Sequence, residues 1–560
     1  MSLFPTNRDI SKTAFNFDPS KFSTAAIVPI DVDGSVTGVA GSLIPDTDPA
    51  GNPNGNPFNG FVQCGGPGGN SQVPAPVLAL FPPAAVAGTS QPGCQKGHYV
   101  NWGPRIGFAF DPKGDGKMAI RAGYGIFQEY TNGNEANAES LEGTPPRVLT
   151  ASQPNIAPGV GGCAAATGYT CIGGGGALPP PLVNNFPPAT IEGKIYWPYV
   201  QQWHLDVQRE LHGHTVATVS YVGSKGTHLT DVRDQNQIHA LPVSQDPYGA
   251  SQPLSNADCA TLGTNNPTAN GVPVTPGTPL FANFSVACGN NPDPFRPFSG
   301  ISALEFLETQ ANSNYNALQI SVRRDIGALQ LSGAYTYSHS IDNSSDRGDT
   351  TFTDSYNLSA NRASSNFDQR HILNISWVYD LPFFRKSSGL TKTLLGGWQW
   401  SGILKSQSGI PINVDNTNHG DNAGTGNGVE GRSSVSRPDL VGDPHSAPCV
   451  PTPGPGPLLF NPCAFDQPRG LTFGTTPRNF LNLPYRTNFD MGLYKHFAIT
   501  ESKSVEFRWE TFNTFNHTQF SGVDSDFAGT TLPAPNTATF LTATTAHDPR
   551  IMQFALKFIF

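Results

Sequence analysis

The sequence has few charged residues and no long hydrophobic run. Only 13% of its 560 residues are Asp, Glu, Lys or Arg, about half the share that is usual for a globular domain. No stretch of about 18 consecutive apolar residues occurs, which excludes a transmembrane helix. The net charge of −9 argues against a nucleic-acid partner, which would require a basic surface.

Common catalytic and metal-binding motifs are also absent. The sequence contains no CxxC, HExxH or GxSxG, so a zinc ribbon, a metalloprotease and a serine hydrolase are not indicated. We therefore expect no catalytic residue, no cofactor and no metal ligand. Asp111–Gly116 is similar to part of a calcium loop but lacks the later glutamate, so a turn is the better interpretation.

The sequence alternates between two kinds of segment. Gly and Pro number 60 and 51, and long Gly/Pro/Asn-rich segments show no periodicity. Between them lie short stretches in which apolar and polar residues alternate, as in a β-strand with two different faces. We predict eleven strands, at 105–110, 117–130, 200–210, 215–223, 315–324, 329–338, 369–380, 397–407, 487–497, 503–515 and 550–560.

The connections alternate between short and long. The predicted strands can be taken two at a time along the chain, as couples. Connections within a couple have four to six residues, except 381–396, whereas connections between couples have roughly 30 to 90 residues. Loops of that length are rare in a compact domain. Short turns at one rim and long loops at the other are typical of an outer-membrane barrel. The predicted fold is all-β, a transmembrane antiparallel barrel with long extracellular loops.

Each predicted strand has one polar face, which we expect to line the barrel lumen. The residues are His204, Asp206, Arg323, Glu506, Arg508 and Glu510. Salt bridging along the wall is favoured over substrate contact. Aromatic residues near strand ends, including Tyr337, Tyr379 and Trp398, are expected at the membrane interfaces.

Eleven strands do not close a barrel without leaving two edges, and unpaired backbone groups are costly in lipid. Either residues 1–100 supply further strands, with 24–32 as a weak candidate, or the chain is the C-terminal piece of a larger barrel. We expect the second, because residues 1–15 lack the pattern of a secretory signal. We divide the chain into a loop-rich segment, 1–100, and a barrel, 101–560.

The eight cysteines fall into neighbouring couples within the long segments. An even number in such surroundings indicates disulfides formed in an oxidising compartment. We expect four disulfides, each within one segment, although reduced cysteines in flexible loops remain an alternative. The couples are Cys64 and Cys94, Cys163 and Cys171, Cys259 and Cys288, and Cys449 and Cys463.

Several stretches resemble TonB-dependent receptors of the Oar-like kind, whose full-length members begin with a carboxypeptidase-regulatory-like domain and a plug domain. They include NWGPRIGFAFDPKGDGKMAIRAGYGIF (101–127), FDQRHILNISWVYDLPF (367–383), GGWQWSGILKSQSGIPINV (396–414) and FRWETFNTFNHTQF (507–520). The resemblance implies an outer-membrane location and a 22-stranded barrel closed by a plug. It also implies capture of an unidentified ligand by the outer loops and uptake energised by the TonB complex. No plug or TonB box is recognisable in the chain, so it is expected to be a fragment.

The last strand resembles the C-terminal signal that the barrel-assembly machinery reads, with an ordinary terminal strand as the alternative. Its apolar residues are Phe554, Leu556, Phe558 and Phe560. The expected partners are therefore outer-membrane lipid, the barrel-assembly machinery, an unidentified ligand and, through the missing plug, the TonB complex. A surface adhesin or scaffold anchored by the barrel is the alternative function, and a soluble secreted β-sandwich is a third.

Overall fold

A computed structural model describes most of the predicted barrel and parts of the first 100 residues. The described residues are 2–3, 15–28, 30, 32, 58–64, 100–129, 189–191, 196–249, 252–325, 327–346, 349, 352–416, 421–426, 436–449, 456–500, 502–527 and 539–560. No helix in these ranges has both the length and the apolar character needed to cross a membrane.

Eleven long antiparallel strands form one large sheet, and each corresponds to a predicted strand. Every strand pairs with the next along the chain. Within the described residues, β1 and β11 are the two edges. The strands are β1 (Arg105–Phe110), β2 (Met118–Gln128), β3 (Tyr199–Leu211), β4 (Thr215–Asp234), β5 (Glu305–Arg324), β6 (Leu329–Asp342), β7 (His371–Asp380), β8 (Trp398–Gln407), β9 (Arg486–Ala498), β10 (Ser504–Phe512) and β11 (Ile551–Ile559).

The remaining elements are small and lie in the connections. Helices α1 (Asn256–Ala260) and α2 (Pro279–Ala287) follow β4, and α3 (Gly389–Leu395) joins β7 to β8. The short strands that pair with each other are Ser2–Leu3 with Val100–Asn101, Phe15–Phe17 with Phe61–Gln63, Thr268–Ala269 with Val272–Pro273, Pro411–Ile412 with Leu481–Asn482, Asp439–Leu440 with Phe465–Asp466, and Phe520–Val523 with Ala543–Ala546. Two more, Ala189–Ile191 and Ala363–Ser364, pair with β5 and β6.

The connections alternate between short turns and long loops, as predicted. The turns after β1, β3, β5 and β9 are short, and the loops after β2, β4, β6, β8 and β10 are long. In the first turn the Asp111 carboxylate accepts hydrogen bonds from the backbone N–H groups of Lys113 and Gly116, at 3.1 and 2.8 Å. These bonds hold the pKa of Asp111 below its ordinary value. The carboxylate thus organises a tight turn, as the sequence suggested.

The weak candidate strand at 24–32 does not form over its first residues, and positions 29 and 31 lie outside the described residues. Thr24–Ala26 forms a 3₁₀ turn, because two consecutive alanines favour a strand poorly. Pro29 has no backbone N–H to donate to a neighbour. The described strands of the first 100 residues pair outside the large sheet.

Strand register divides the sheet into two faces, because directly opposed residues point to the same side. One face is apolar and continues from strand to strand. Across the last strands, for example, Trp400 opposes Leu493, Leu493 opposes Trp509, and Trp509 opposes Phe554. The other face is polar, as shown by Gly492, Glu510 and Gln553 in the adjacent row. The sheet is thus apolar on one side and polar on the other, as a barrel wall in lipid requires.

Two tryptophans on the apolar face cover a glycine on the neighbouring strand. Trp203 opposes Gly223, and Trp377 opposes Gly402. A side-chain carbon added at Gly402 would overlap the Trp377 ring. A ring that covers a glycine replaces the contacts that the missing side chain leaves unmade.

We expect Gly402→Ala to destabilise the sheet by about 1 kcal/mol or more, because the Trp377 ring must leave its place. Gly333→Ala is the matched control, since Gly333 lies on the same face and has nothing within 4 Å of the added carbon. The measurement is urea unfolding in detergent micelles. Equal effects of the two substitutions would contradict the role assigned to the ring.

Candidate functional site

The polar face of the sheet contains all six residues predicted for the lumen. His204 and Asp206 oppose Val222 and Ser220 on β4, which in turn oppose Ala317 and Gln319 on β5. The same face continues through Arg323 and ends at Glu506, Arg508 and Glu510 on β10. Polar residues that the sequence places far apart therefore lie on one surface.

Most of these charges are paired along the wall. Arg508 Nε lies 3.0 Å from Glu506 Oε1, and Arg323 Nε lies 2.6 Å from Asp325 Oδ2. The Tyr494 hydroxyl donates to Glu510 at 2.8 Å, and the Gln553 amide also donates to Glu510. The two bonds to Glu510 join β9, β10 and β11, whereas each ion pair lies within one strand and its turn. These contacts agree with the structural salt bridging that we favoured.

The polar face is concave over strands β5 to β10. A depression of about 610 Å³ lies on it, and its side chains include Ser332, Ser376, Ser401, Asp490, Tyr494 and Glu510. Because the depression lies on the polar side, this side corresponds to the interior of a barrel. No group of three or more His, Cys, Asp or Glu side chains in the described ranges could hold a metal ion.

The long connections pack into a structure that we call the outer cap: the described residues of 15–64, 235–304, 343–370, 408–485 and 513–550. The cap contains three buried apolar clusters. One joins Phe15, Phe17, Phe58 and Phe61 to Ile301 and Leu304. A second lies around Phe284 and Leu471, and a third around Phe465 and Phe540. Segments remote in sequence thus share cores at one end of the sheet.

A buried arginine fixes the loop that follows β4. Arg296 Nη1 lies 2.9 Å from Asp234 Oδ2, and its Nε lies 2.9 Å from Asp293 Oδ1. Burial raises the pKa of Asp293, and the positive charge of Arg296 opposes that shift. Beside it, Arg233 is paired with Glu308 at 2.5 Å. Arg233, Asp234 and Glu308 lie in the outer extensions of β4 and β5, and each of these two strands is 20 residues long.

A second buried arginine joins the loop after β6 to the loop after β8. Arg478 is fully buried and bonds Asp342 at 2.8 Å and Asp349 at 2.7 Å. Its neighbour Arg437 donates to Asn361 at 2.9 Å. Asp349 is the last residue of the sequence RGD at 347–349. Its carboxylate is almost fully buried against Arg478, so it is not displayed for adhesion.

Ionisation of the buried Asp415 carboxyl group in the cap costs folding free energy at pH 7. Burial raises the pKa of Asp415 to about 6, the nearby Asp526 adds to the shift, and hydrogen bonding from Asn413 opposes it. A carboxyl group whose pKa is raised on folding stabilises the fold when it is protonated. That stabilisation is complete below about pH 4 and is lost as the pH rises through about 6.

We therefore expect Asp415→Asn to stabilise this part of the cap at pH 7 by up to about 3 kcal/mol, and to have little effect at pH 4. The measurement is hydrogen exchange of peptides covering 411–416 and 480–484, corrected for intrinsic rates at each pH. Equal protection of the wild-type peptides at pH 4 and pH 7 would contradict the expectation.

Two of the expected disulfides are present. Cys259 is bonded to Cys288, and Cys449 to Cys463. Cys64 is also disulfide-bonded, whereas Cys94, Cys163 and Cys171 lie outside the described residues. The pairings of these four therefore remain predictions. Each observed bond closes a loop within the cap and reduces the entropy of the unfolded segment.

The final strand exposes its apolar residues. Phe554, Leu556, Phe558 and Phe560 are between half and nine-tenths exposed, and β11 pairs with β10 on one side. Recognition of this strand by the barrel-assembly machinery remains a prediction.

The division of the chain into a segment 1–100 and a barrel 101–560 also remains a prediction.

Sequence reasoning did not identify the residues that hold the cap. Arg296 and Arg478 are single arginines in Pro/Gly-rich segments, and no spacing marks them as buried. The available signal was the repeated phenylalanine in the long segments, for example in DPFRPFSG at 293–300. Large aromatic side chains in a flexible loop would have to remain in water, so their presence favours packing.

Comparison with known proteins gives one family and several structural likenesses. The model of the outer membrane beta barrel domain matches residues 4–553. The solved structures that resemble the chain include BauA, the ferric preacinetobactin receptor of Acinetobacter baumannii (11% identity, TM-score 0.33), and the siderophore receptor PirA of the same organism (10%, 0.35). The outer membrane transporter YddB of Escherichia coli is also among them (9%, 0.35).

The likeness covers 82% of this chain for BauA and for PirA, and 81% for YddB. It covers 36% of the BauA chain, 41% of the PirA chain and 40% of the YddB chain. The chain thus spans well under half the length of these solved structures. No curated protein matches it.

Proposed function

Because the chain belongs to the outer membrane beta barrel domain family and its strands lie in the outer membrane, we propose that it forms part of the wall of a TonB-dependent receptor. In this proposal the outer cap captures a ligand from outside the cell. The ligand then passes along a lumen lined by the polar face. Uptake is energised through a plug domain and the TonB complex. The likeness of residues 101–560 to Oar-like receptors supports this choice of receptor class.

One observation carries the proposal, namely the polar face that continues across eleven antiparallel strands and is concave over β5 to β10. Outer-membrane barrels have an apolar face towards lipid and a polar interior, and here the polar side also carries a depression of about 610 Å³. The polar side chains at the depression are mainly hydroxyl and carboxylate groups. They provide hydrogen-bonding partners for a polar segment that fills the lumen.

The proposal assigns different tasks to the two regions of the chain. Wall residues such as Tyr494 and Gln553 hold strand register, because both donate to Glu510 on the strand between them. Arg296 and Arg478 keep the outer cap folded. A ligand-binding surface on the cap then requires little ordering when the ligand arrives, which favours affinity.

Photocrosslinking in outer membranes of the native organism tests whether a plug fills the lumen. A benzophenone amino acid replaces Ser332 on the polar face, and in a second variant it replaces Leu331, the adjacent residue on the apolar face. We expect the probe at 332 to crosslink to peptides of a plug domain, identified by mass spectrometry. The probe at 331 should yield no such peptides, because it faces lipid.

The surface adhesin or scaffold is the alternative that this experiment distinguishes. A barrel that served only as an anchor would give no plug crosslink from position 332. The buried carboxylate of Asp349 already removes the RGD sequence as a reason to prefer adhesion. Polypeptide crosslinks from 331 and none from 332 would contradict both the assignment of faces and the proposal.

A further inference from the structure

The connection between β7 and β8 differs from the other short connections at its rim. It covers residues 381–397 and contains the helix α3 (Gly389–Leu395). Several large apolar side chains in it are exposed, including Phe383 at 61%, Leu390 at 78% and Leu394 at 56%. An exposed group of such side chains indicates contact with another apolar phase.

The contacts of Trp398 place this helix beside the lipid-facing side of the sheet. Trp398 opposes Lys495 and lies two residues before Trp400, so it belongs to the apolar face. Its indole Nε1–H donates to the backbone carbonyl of Leu394 at 3.1 Å. Its ring also packs edge-on against Phe507 of the same face, with centroids 6.1 Å apart.

Lys495 strengthens this placement. Its side chain is nearly fully buried on the apolar face, and its ammonium group donates to the Gly396 carbonyl at the end of α3. The ammonium group lies 5.5 Å from the ring centre of Trp398 and 5.3 Å from that of Phe497. The helix is thus fixed to the sheet from the side that faces lipid, and its apolar surface continues that of the sheet.

All charged side chains of this segment are positive. Residues 381–397 contain Arg385, Lys386 and Lys392 and no acidic residue. Arg385 is 3.5 Å from Asp380 at the end of β7, whereas Lys386 and Lys392 are exposed. Apolar side chains beside exposed lysines are typical of a helix that lies in the interface of an anionic lipid leaflet.

We propose that residues 381–397 form an interfacial anchor that binds anionic phospholipid of the periplasmic leaflet. Leu390 and Leu394 enter the acyl boundary, and Lys386 and Lys392 contact lipid phosphates. The short connections lie on the periplasmic side of an outer-membrane barrel. The anchor does not depend on transport, since it requires only that the sheet spans the outer membrane.

Fluorescence quenching in defined vesicles tests the anchor. The full chain carrying Leu390→Cys is labelled with a nitrobenzoxadiazole probe, since none of the described cysteines is free. It is reconstituted in phosphatidylcholine vesicles containing phosphatidylglycerol brominated in its acyl chains. Ser502→Cys, in the turn between β9 and β10 at the same rim, is the matched control. Leu394→Cys serves as a second position if labelling at 390 disturbs folding.

We expect the probe at 390 to be quenched by brominated lipid and protected from aqueous iodide, and the probe at 502 to show the reverse. Equal iodide quenching at both positions would overturn the proposal. Protection at 390 from both quenchers would also overturn it, because a protein partner or a second copy would then cover the helix.

The lysines are tested in the same preparation. With Lys386→Gln and Lys392→Gln added, the preference of position 390 for brominated phosphatidylglycerol over brominated phosphatidylcholine should fall about fivefold for each lysine removed. An unchanged preference would show that the charges do not select the lipid and would contradict the anionic specificity.

Discussion

Leu404→Arg is expected to destabilise the sheet by about 2 to 4 kcal/mol, whereas Ile403→Arg should be nearly neutral. The two residues are neighbours on β8, and the substitution is identical, so only the face differs. Leu404 opposes Ile375 and Phe489 on the apolar face, and an arginine there would lie in hydrocarbon. Ile403 opposes Asp490 on the polar face, where an arginine gains a carboxylate neighbour.

The measurement is the urea midpoint of the protein in phospholipid vesicles, together with the shift in gel migration on boiling that folded barrels show. A loss of folded protein for Leu404→Arg alone supports lipid on the apolar side. If Ile403→Arg were the more damaging change, the lipid-facing and lumenal sides would have to be exchanged. Equal tolerance of both substitutions would contradict a membrane-spanning sheet.

Arg478→Met should open the outer cap while leaving the sheet intact. The substitution keeps a long apolar side chain but removes the guanidinium group from Asp342 and Asp349, whose carboxylates are almost fully buried. Removing one partner of a buried ion pair typically costs about 3 to 5 kcal/mol, because the remaining charge is left uncompensated. Here two carboxylates lose the same partner.

Limited proteolysis of outer membranes measures this effect. Cleavage within 343–370 and 456–485 should become roughly 100-fold faster or more. This holds when the cap opens and closes faster than the protease cuts, because cleavage then follows the population of the open form. Arg508→Met is the control, because its pair with Glu506 is partly exposed on the wall and should change cleavage little. Unchanged protection of the cap in Arg478→Met would show that the apolar clusters hold these loops without the ion pairs.

The strands and their faces could be predicted from the sequence because alternation is a local property. Trp203, Leu205 and Val207 indicate an apolar face without knowledge of any other strand. The outer extensions of β4 and β5 were missed because the alternation fades there. Their residues are buried on both sides by the cap, as for the consecutive residues Leu307, Glu308 and Thr309.

The cap could not be predicted, because its contacts join segments hundreds of residues apart. Phe17 packs against Phe298 with ring centroids 5.0 Å apart, and no local pattern relates the two. The ion pair between Arg296 and Asp234 is also non-local, since Asp234 precedes Arg296 by 62 residues. The cysteine couples were more readily predicted, because 29 and 14 residues separate the partners within single loops.

The length of β4 and β5 has a consequence for what can reach the protein from outside. A strand of 20 residues extends roughly 65 Å along its axis, and at a tilt near 45° it rises about 45 Å against an apolar band of about 25 Å. The two strands therefore form a stalk that holds the cap beyond the apolar band on the outer side. Bulky macromolecules such as antibodies or polysaccharides can touch the cap without entering the lipid layer, and the stalk transmits any force on the cap directly to the wall.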